Sequence, residues 1–149
     1  MIMEATANVT GRSGIYGAVR FVQRADGVLV TARIRGLPRS GFFALHIHEG
    51  PDCGGEGYAN TGGHFNPAGV PHPDHAGDLP PLLSCHGKAF LSVLTDRFCV
   101  PEIVGRTVVI HSGPDDFKTQ PAGNAGEKIA CGVILRSGRR RQDNTVLRG

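Results

Sequence analysis

Residues 49–78 constrain this chain most. They carry eight glycines and four prolines and show no sustained period of either two or 3.6. A structureless stretch near this length is uncommon in a compact domain unless it is functional or held in place. The same stretch contains His64, His72, His75 and Asp78, so nitrogen and oxygen donors gather where regular structure is missing. Three imidazoles and a carboxylate this close together can wrap a tetrahedral zinc ion. The plainer reading is a polar loop with scattered histidines, and it leaves the crowding unexplained.

The rest of the chain reads as short strands. Residues 1–36 are strand-like, and Asp26-Gly27 stands between the runs around Val19-Arg20-Phe21-Val22 and Val28 to Arg35, a strong hairpin signal. Further strands are expected at Phe42–His48, Lys88–Thr95, Arg106–His111 and Ile129–Leu135, with one helical turn at Val100–Val104. A second loop, 112–127, is again rich in Gly, Pro and Asp. At 149 residues with Gly 22, Pro 10 and no Trp, the composition suits strands and turns better than helices. The expected fold is all-β: a Greek-key sandwich or flattened barrel of about eight antiparallel strands with two long functional loops. The domain is expected to span 1–135, followed by a basic tail at 136–149.

Two further histidine groups stand out. His46-Ile47-His48 lies on an expected strand, where residues two apart share a face, so both imidazoles can reach one ion. Alone, this pair is equally well read as two surface histidines. His111 ends the strand Thr107-Val108-Val109-Ile110 beside the second loop; by itself it reads as structural, but beside two incomplete ligand clusters it becomes a candidate. His86, in Ser84-Cys85-His86-Gly87, fits neither cluster and reads as an exposed turn residue.

The formal net charge of +3 is unevenly placed. Arg136, Arg139, Arg140, Arg141 and Arg148 fall in the final stretch beside one acid, Asp143, and without them the body is close to neutral. The tail reads as a solvated end. No aromatic residue interleaves its arginines, so no nucleic-acid partner is expected. No apolar run is long enough for a membrane helix, and no membrane partner is expected. Met1 to Thr6 lacks a basic stretch leading into an apolar one, which points to the cytoplasm; a secreted or periplasmic protein is the alternative if the chain is a mature form.

Taken together, the motifs resemble those of the copper/zinc superoxide dismutases. Gly41-Phe42-Phe43-Ala44-Leu45-His46-Ile47-His48-Glu49-Gly50 is similar to the family's first copper motif, and Gly62-Gly63-His64-Phe65-Asn66-Pro67 to its bridging-histidine motif. His75-Ala76-Gly77-Asp78-Leu79-Pro80 resembles the end of the zinc loop. Gly105-Arg106-Thr107-Val108-Val109-Ile110-His111 and Gly123-Asn124-Ala125-Gly126-Glu127-Lys128-Ile129-Ala130-Cys131-Gly132-Val133-Ile134 complete the set, in the family's order, from about residue 10 to 135.

The resemblance implies copper ligands His46, His48, His64 and His111, and zinc ligands His64, His72, His75 and Asp78, with His64 bridging the two ions. It implies that Asp115 joins His46 to His72, fixing both tautomers, and that Cys53 and Cys131 form a disulfide; the alternative is two buried thiols. Cys85 and Cys99 lie outside the family pattern and are too far apart to pair with each other. The implied cofactors are copper and zinc, and the implied substrate is superoxide, disproportionated to dioxygen and hydrogen peroxide with His64 carrying a proton. The family usually places an arginine three residues before the last cysteine; this chain has Lys128, which the resemblance casts as a catalytic cation beside copper. The His72–His75 gap and the loop 112–123 are both short. These departures keep a second reading alive, a related copper-binding protein for storage, sensing or delivery with little turnover. A zinc hydrolase is disfavoured, because four protein ligands leave no place for a catalytic water. A homodimer or a monomer fits equally.

Overall fold

The computed structural model describes residues 3–137. Of the basic tail expected at 136–149, everything after Ser137 lies outside the described residues. Among the described residues nine strands form: β1 (Glu4–Gly11), β2 (Tyr16–Arg24), β3 (Gly27–Arg35), β4 (Gly41–Phe43), β5 (Leu45–His48), β6 (Leu82–Cys85), β7 (Lys88–Thr95), β8 (Thr107–His111) and β9 (Lys128–Arg136). The expected helical turn is α1 (Val100–Ile103). All pairings are antiparallel, in the order β4-β6-β7-β3-β2-β1-β9-β8-β5.

That order closes the sheet. Its two outer strands, β4 and β5, are neighbours in the chain, separated only by Ala44. The Ala44 backbone donates to the Gly113 carbonyl and accepts from the His111 N–H, so it leaves the ladder on one side and enters it on the other. The single strand expected over Phe42–His48 is therefore two strands meeting at a barrel corner. β3 pairs with β7, and β1 with β9, which makes the connections Greek-key in type. The fold is all-β, a nearly closed barrel with two long loops.

Alternation along the strands builds one core. Val19 and Phe21 of β2, Val28, Val30 and Ile34 of β3, Leu45 and Ile47 of β5, and Ile110 of β8 are all fully or almost fully buried in one cluster. At roughly 2 kcal/mol for each buried Val, Leu, Ile or Phe side chain, this burial is the main term holding the barrel. On β5 the opposite face carries His46 and His48, and these are buried too, because loop 49–78 covers them. The Cys53–Cys131 disulfide ties that loop to β9. Cys85 and Cys99 are unpaired, and His86 is exposed in the turn between β6 and β7.

A bulge positions the last strand. β8 and β9 pair Ile110 with Ala130 but His111 with Lys128, so Ile129 is the extra residue. Ile129 and Ala130 both join the core, and Lys128 comes to lie opposite His111. A regular ladder would have placed Ile129 there instead.

Candidate metal centre

The loop docks on β5 through its backbone. The Ile47 N–H donates to the Gly77 carbonyl, the Phe65 N–H donates to the Ile47 carbonyl, and the Glu49 N–H donates to the Gly63 carbonyl. These bonds lay His64 beside His48 and Asp78 beside His46. β8, paired with β5, adds His111 from the same side of the sheet. The result is two overlapping clusters, His46, His48, His64 and His111 in one, and His64, His72, His75 and Asp78 in the other. Within each, the donor atoms lie within 4.8 Å of one another. His64 belongs to both.

Asp115 joins the clusters from behind. His46 Nε2 donates to its Oδ2 at 2.8 Å, and His72 Nε2 donates to its Oδ1 at 2.8 Å. Each donation places the proton on Nε2 and leaves a lone pair on Nδ1. His48 Nδ1 donates to the Gly62 carbonyl at 2.9 Å, and His111 Nδ1 donates to the Gly126 carbonyl at 3.3 Å, so their lone pairs sit on Nε2.

The lone pairs then face one another. His48 Nε2 and His111 Nε2 are 3.2 Å apart. His72 Nδ1 lies 3.0 Å from Asp78 Oδ2, an acceptor opposite an acceptor. His64 Nδ1, by contrast, is within hydrogen-bond reach of Asp78 Oδ1 at 2.7 Å and of His75 Nδ1 at 3.1 Å. His46 Nδ1, His64 Nε2 and His72 Nδ1 are buried without any hydrogen-bond partner. Buried polar atoms are almost always paired, and acceptors pointed at acceptors repel unless a cation lies between them. The donor set therefore fits two metal ions, one in each cluster. Burial also keeps the ligands neutral, as metal binding requires: it pushes His46 and His48 down from 6.5 to about 2, and His111 to about 4. The His75 imidazole is lowered by burial in the same direction.

Lys128 stands at the edge of the first cluster. Its Nζ donates to Thr61 Oγ1 at 2.7 Å and to the Gly62 carbonyl at 3.0 Å. The Gly62 carbonyl therefore holds both Lys128 and His48. Neither Thr61 nor this carbonyl is visible as a functional group in the sequence, because a carbonyl carries no residue signature. Gly123 is a similar case. It has a φ of +70°, and a Cβ there would lie 2.0 Å from Asp115 Oδ1 and 2.7 Å from His72 Nε2. Gly123→Ala is expected to push Asp115 off both histidines and weaken metal binding by about 10- to 100-fold. Metal content after dialysis against a graded chelator checks this.

An antiparallel Greek-key barrel with a buried two-ion donor set sharing one histidine defines a binuclear metalloprotein. The family model of copper/zinc superoxide dismutase matches residues 15–134. Superoxide dismutase [Cu-Zn] 2 of Aquifex aeolicus is 36% identical over 148 residues, covering 89% of this chain and 86% of its own. Superoxide dismutase [Cu-Zn] of Caulobacter vibrioides is 36% identical over 154 residues, covering 87% and 84%. Superoxide dismutase [Cu-Zn] 3 of Arabidopsis thaliana is 35% identical over 150 residues, covering 89% and 90%. The chain belongs to the copper/zinc superoxide dismutase family.

Proposed function

We propose that this chain is a superoxide dismutase, converting superoxide to dioxygen and hydrogen peroxide, with copper held by His46, His48, His64 and His111 and zinc by His64, His72, His75 and Asp78. The observation that carries the reading is His64, which belongs to both clusters, with Nδ1 against Asp78 and His75 and Nε2 buried without a partner. When bound, copper supplies one-electron chemistry that alternately oxidises and reduces superoxide, and zinc supplies a fixed charge without redox chemistry.

The protein contributes the rest. His64 Nε2, the ring nitrogen without a hydrogen-bond partner, would hold one of the two protons that hydrogen peroxide needs, and water would supply the other. Asp115 fixes the rings of His46 and His72, so the donor atoms keep their directions through the cycle. Lys128 spends two of its three ammonium protons on Thr61 and Gly62, which leaves the third for a small anion. An arginine here would offer a planar fork able to hold an anion and anchor to backbone at once. Lys128→Arg is accordingly expected to raise kcat/KM for superoxide, and Lys128→Ala to lower it by about tenfold, more at low salt. A Lys128→Arg rate at or below wild type contradicts this role.

The ligand assignment is tested by separating the clusters. His111→Ala is expected to lose copper and turnover while keeping zinc. His75→Ala is expected to lose zinc while retaining copper-dependent turnover. If both variants lose the same metal, the division is wrong. Retained copper without turnover in the wild-type chain supports the storage or delivery reading instead. The Cys53–Cys131 bond supports an oxidising compartment, where disulfides persist. No helix among the described residues is long and apolar enough to cross a membrane.

A further inference from the structure

The segment 72–78 is docked on the barrel at Gly77, which bonds to Ile47 and Phe65, but between His72 and His75 it has little apolar cover. Pro71 and Asp74 are exposed, Pro73 and Ala76 are only partly covered, and a cavity of about 330 Å³ lined by Pro73, Leu79, Val93 and Phe117 lies against it. His72 Nδ1 faces Asp78 Oδ2, acceptor to acceptor, and these repel without a metal. Apolar packing is therefore incomplete where the donor atoms most need fixed positions.

Two side chains outside both clusters grip the backbone here. Arg97 Nη1 donates to the Pro73 carbonyl at 2.7 Å and to the His75 carbonyl at 3.2 Å, and it reaches within 3.5 Å of the Asp78 carbonyl. Its Nη2 lies 3.7 Å from Asp74 Oδ1. The root of Arg97 is fixed by the next residue, Phe98, which is buried with its ring against Phe21 in an edge-on contact. The guanidinium thus carries the rigidity of the barrel to the loop. From the other loop, Gln120 Oε1 accepts the His72 N–H at 2.9 Å, and Gln120 Nε2 donates to the His72 carbonyl at 2.7 Å. Both backbone groups of one ligand are held by one amide.

We infer that Arg97 and Gln120 are positioning residues for zinc, a clamp on the backbone of 72–78 that sets the spacing of His72, His75 and Asp78. The inference rests on the zinc assignment proposed above. The clamp compensates for the short His72–His75 connection, which has only Pro73 and Asp74 to shape it. Arg97 Nη1 serves the carbonyls while Nη2 faces Asp74, so one rigid planar group spans both, which the single point charge of a lysine ammonium on a flexible stem does not.

The test uses the full chain, with Arg97→Ala, Gln120→Ala, the double variant and Arg97→Lys. Zinc release into a chromogenic chelator and the visible absorption of cobalt(II) placed in the zinc site are read beside copper content and metal-free unfolding. Each single alanine variant is expected to release zinc about tenfold faster, and the double variant about 100-fold faster, in line with other residues that support metal ligands. The cobalt spectrum shifts, copper content and metal-free unfolding stay near wild type, and Arg97→Lys does not rescue. Wild-type zinc release and an unchanged cobalt spectrum in the double variant overturn the inference. So does equal loss of copper and zinc together with a lower metal-free unfolding temperature, which marks a merely structural role. A His75→Ala chain that binds zinc as tightly as wild type overturns the zinc assignment itself and is distinguishable from either result.

Discussion

His64→Ala is expected to abolish superoxide turnover and to weaken both metal sites, an effect no other single ligand substitution shares. The other ligands each serve one cluster, so their loss leaves the second cluster complete. Removing His64 takes Nε2 from His46, His48 and His111, and Nδ1 from His75 and Asp78. It also removes the imidazole that holds the proton. His64 is almost fully buried, so the truncation leaves a void beside β5 that water fills. Metal counting and rate measurement on the same sample check the prediction. Loss of one metal alone, or retained turnover, contradicts it.

The second large effect appears when metal is stripped away. The metal-free protein is expected to lose stability steeply as pH falls below about 6.5. His46 and His48 are held down at about 2, and His111 at about 4, chiefly by burial. Between these values and the ordinary histidine value, the unfolded chain binds protons that the folded chain refuses. A depressed histidine pKa therefore contributes stability above the unfolded value and loses it as pH drops toward the folded one. At about 1.4 kcal/mol per pH unit, one such histidine alone withdraws roughly 2–3 kcal/mol by pH 4.5, a sizeable part of the stability of an ordinary domain. Bound metal opposes this loss by occupying the same nitrogens. Unfolding temperatures of metal-free and metal-loaded protein from pH 7.5 to 4.5 check it. A flat metal-free curve contradicts the burial argument.

Much of this was legible in the sequence because donor residues carry chemical signatures. Six of the seven histidines come together with Asp78 and Asp115, and Cys53 pairs with Cys131. Strand β7 spans Lys88–Thr95 as read, and loop 112–127 is bounded by β8 and β9. What was not legible depends on tertiary context. Ala44 reads as one more apolar residue in a strand, and only barrel closure makes it a corner. β6 was missed because Leu82–Cys85 follows two prolines and runs straight into the turn at His86 and Gly87. The bulge at Ile129 decides which way Lys128 faces, and no composition rule announces it. Arg97 and Gln120 act on backbone carbonyls and amides, which look alike at every position.

Superoxide removal by the chain loaded with copper and zinc, with both metals counted on the same sample, tests the central claim most directly. One copper and one zinc per chain are expected, with turnover that rises in proportion to copper. Full occupancy by both metals without turnover would contradict it.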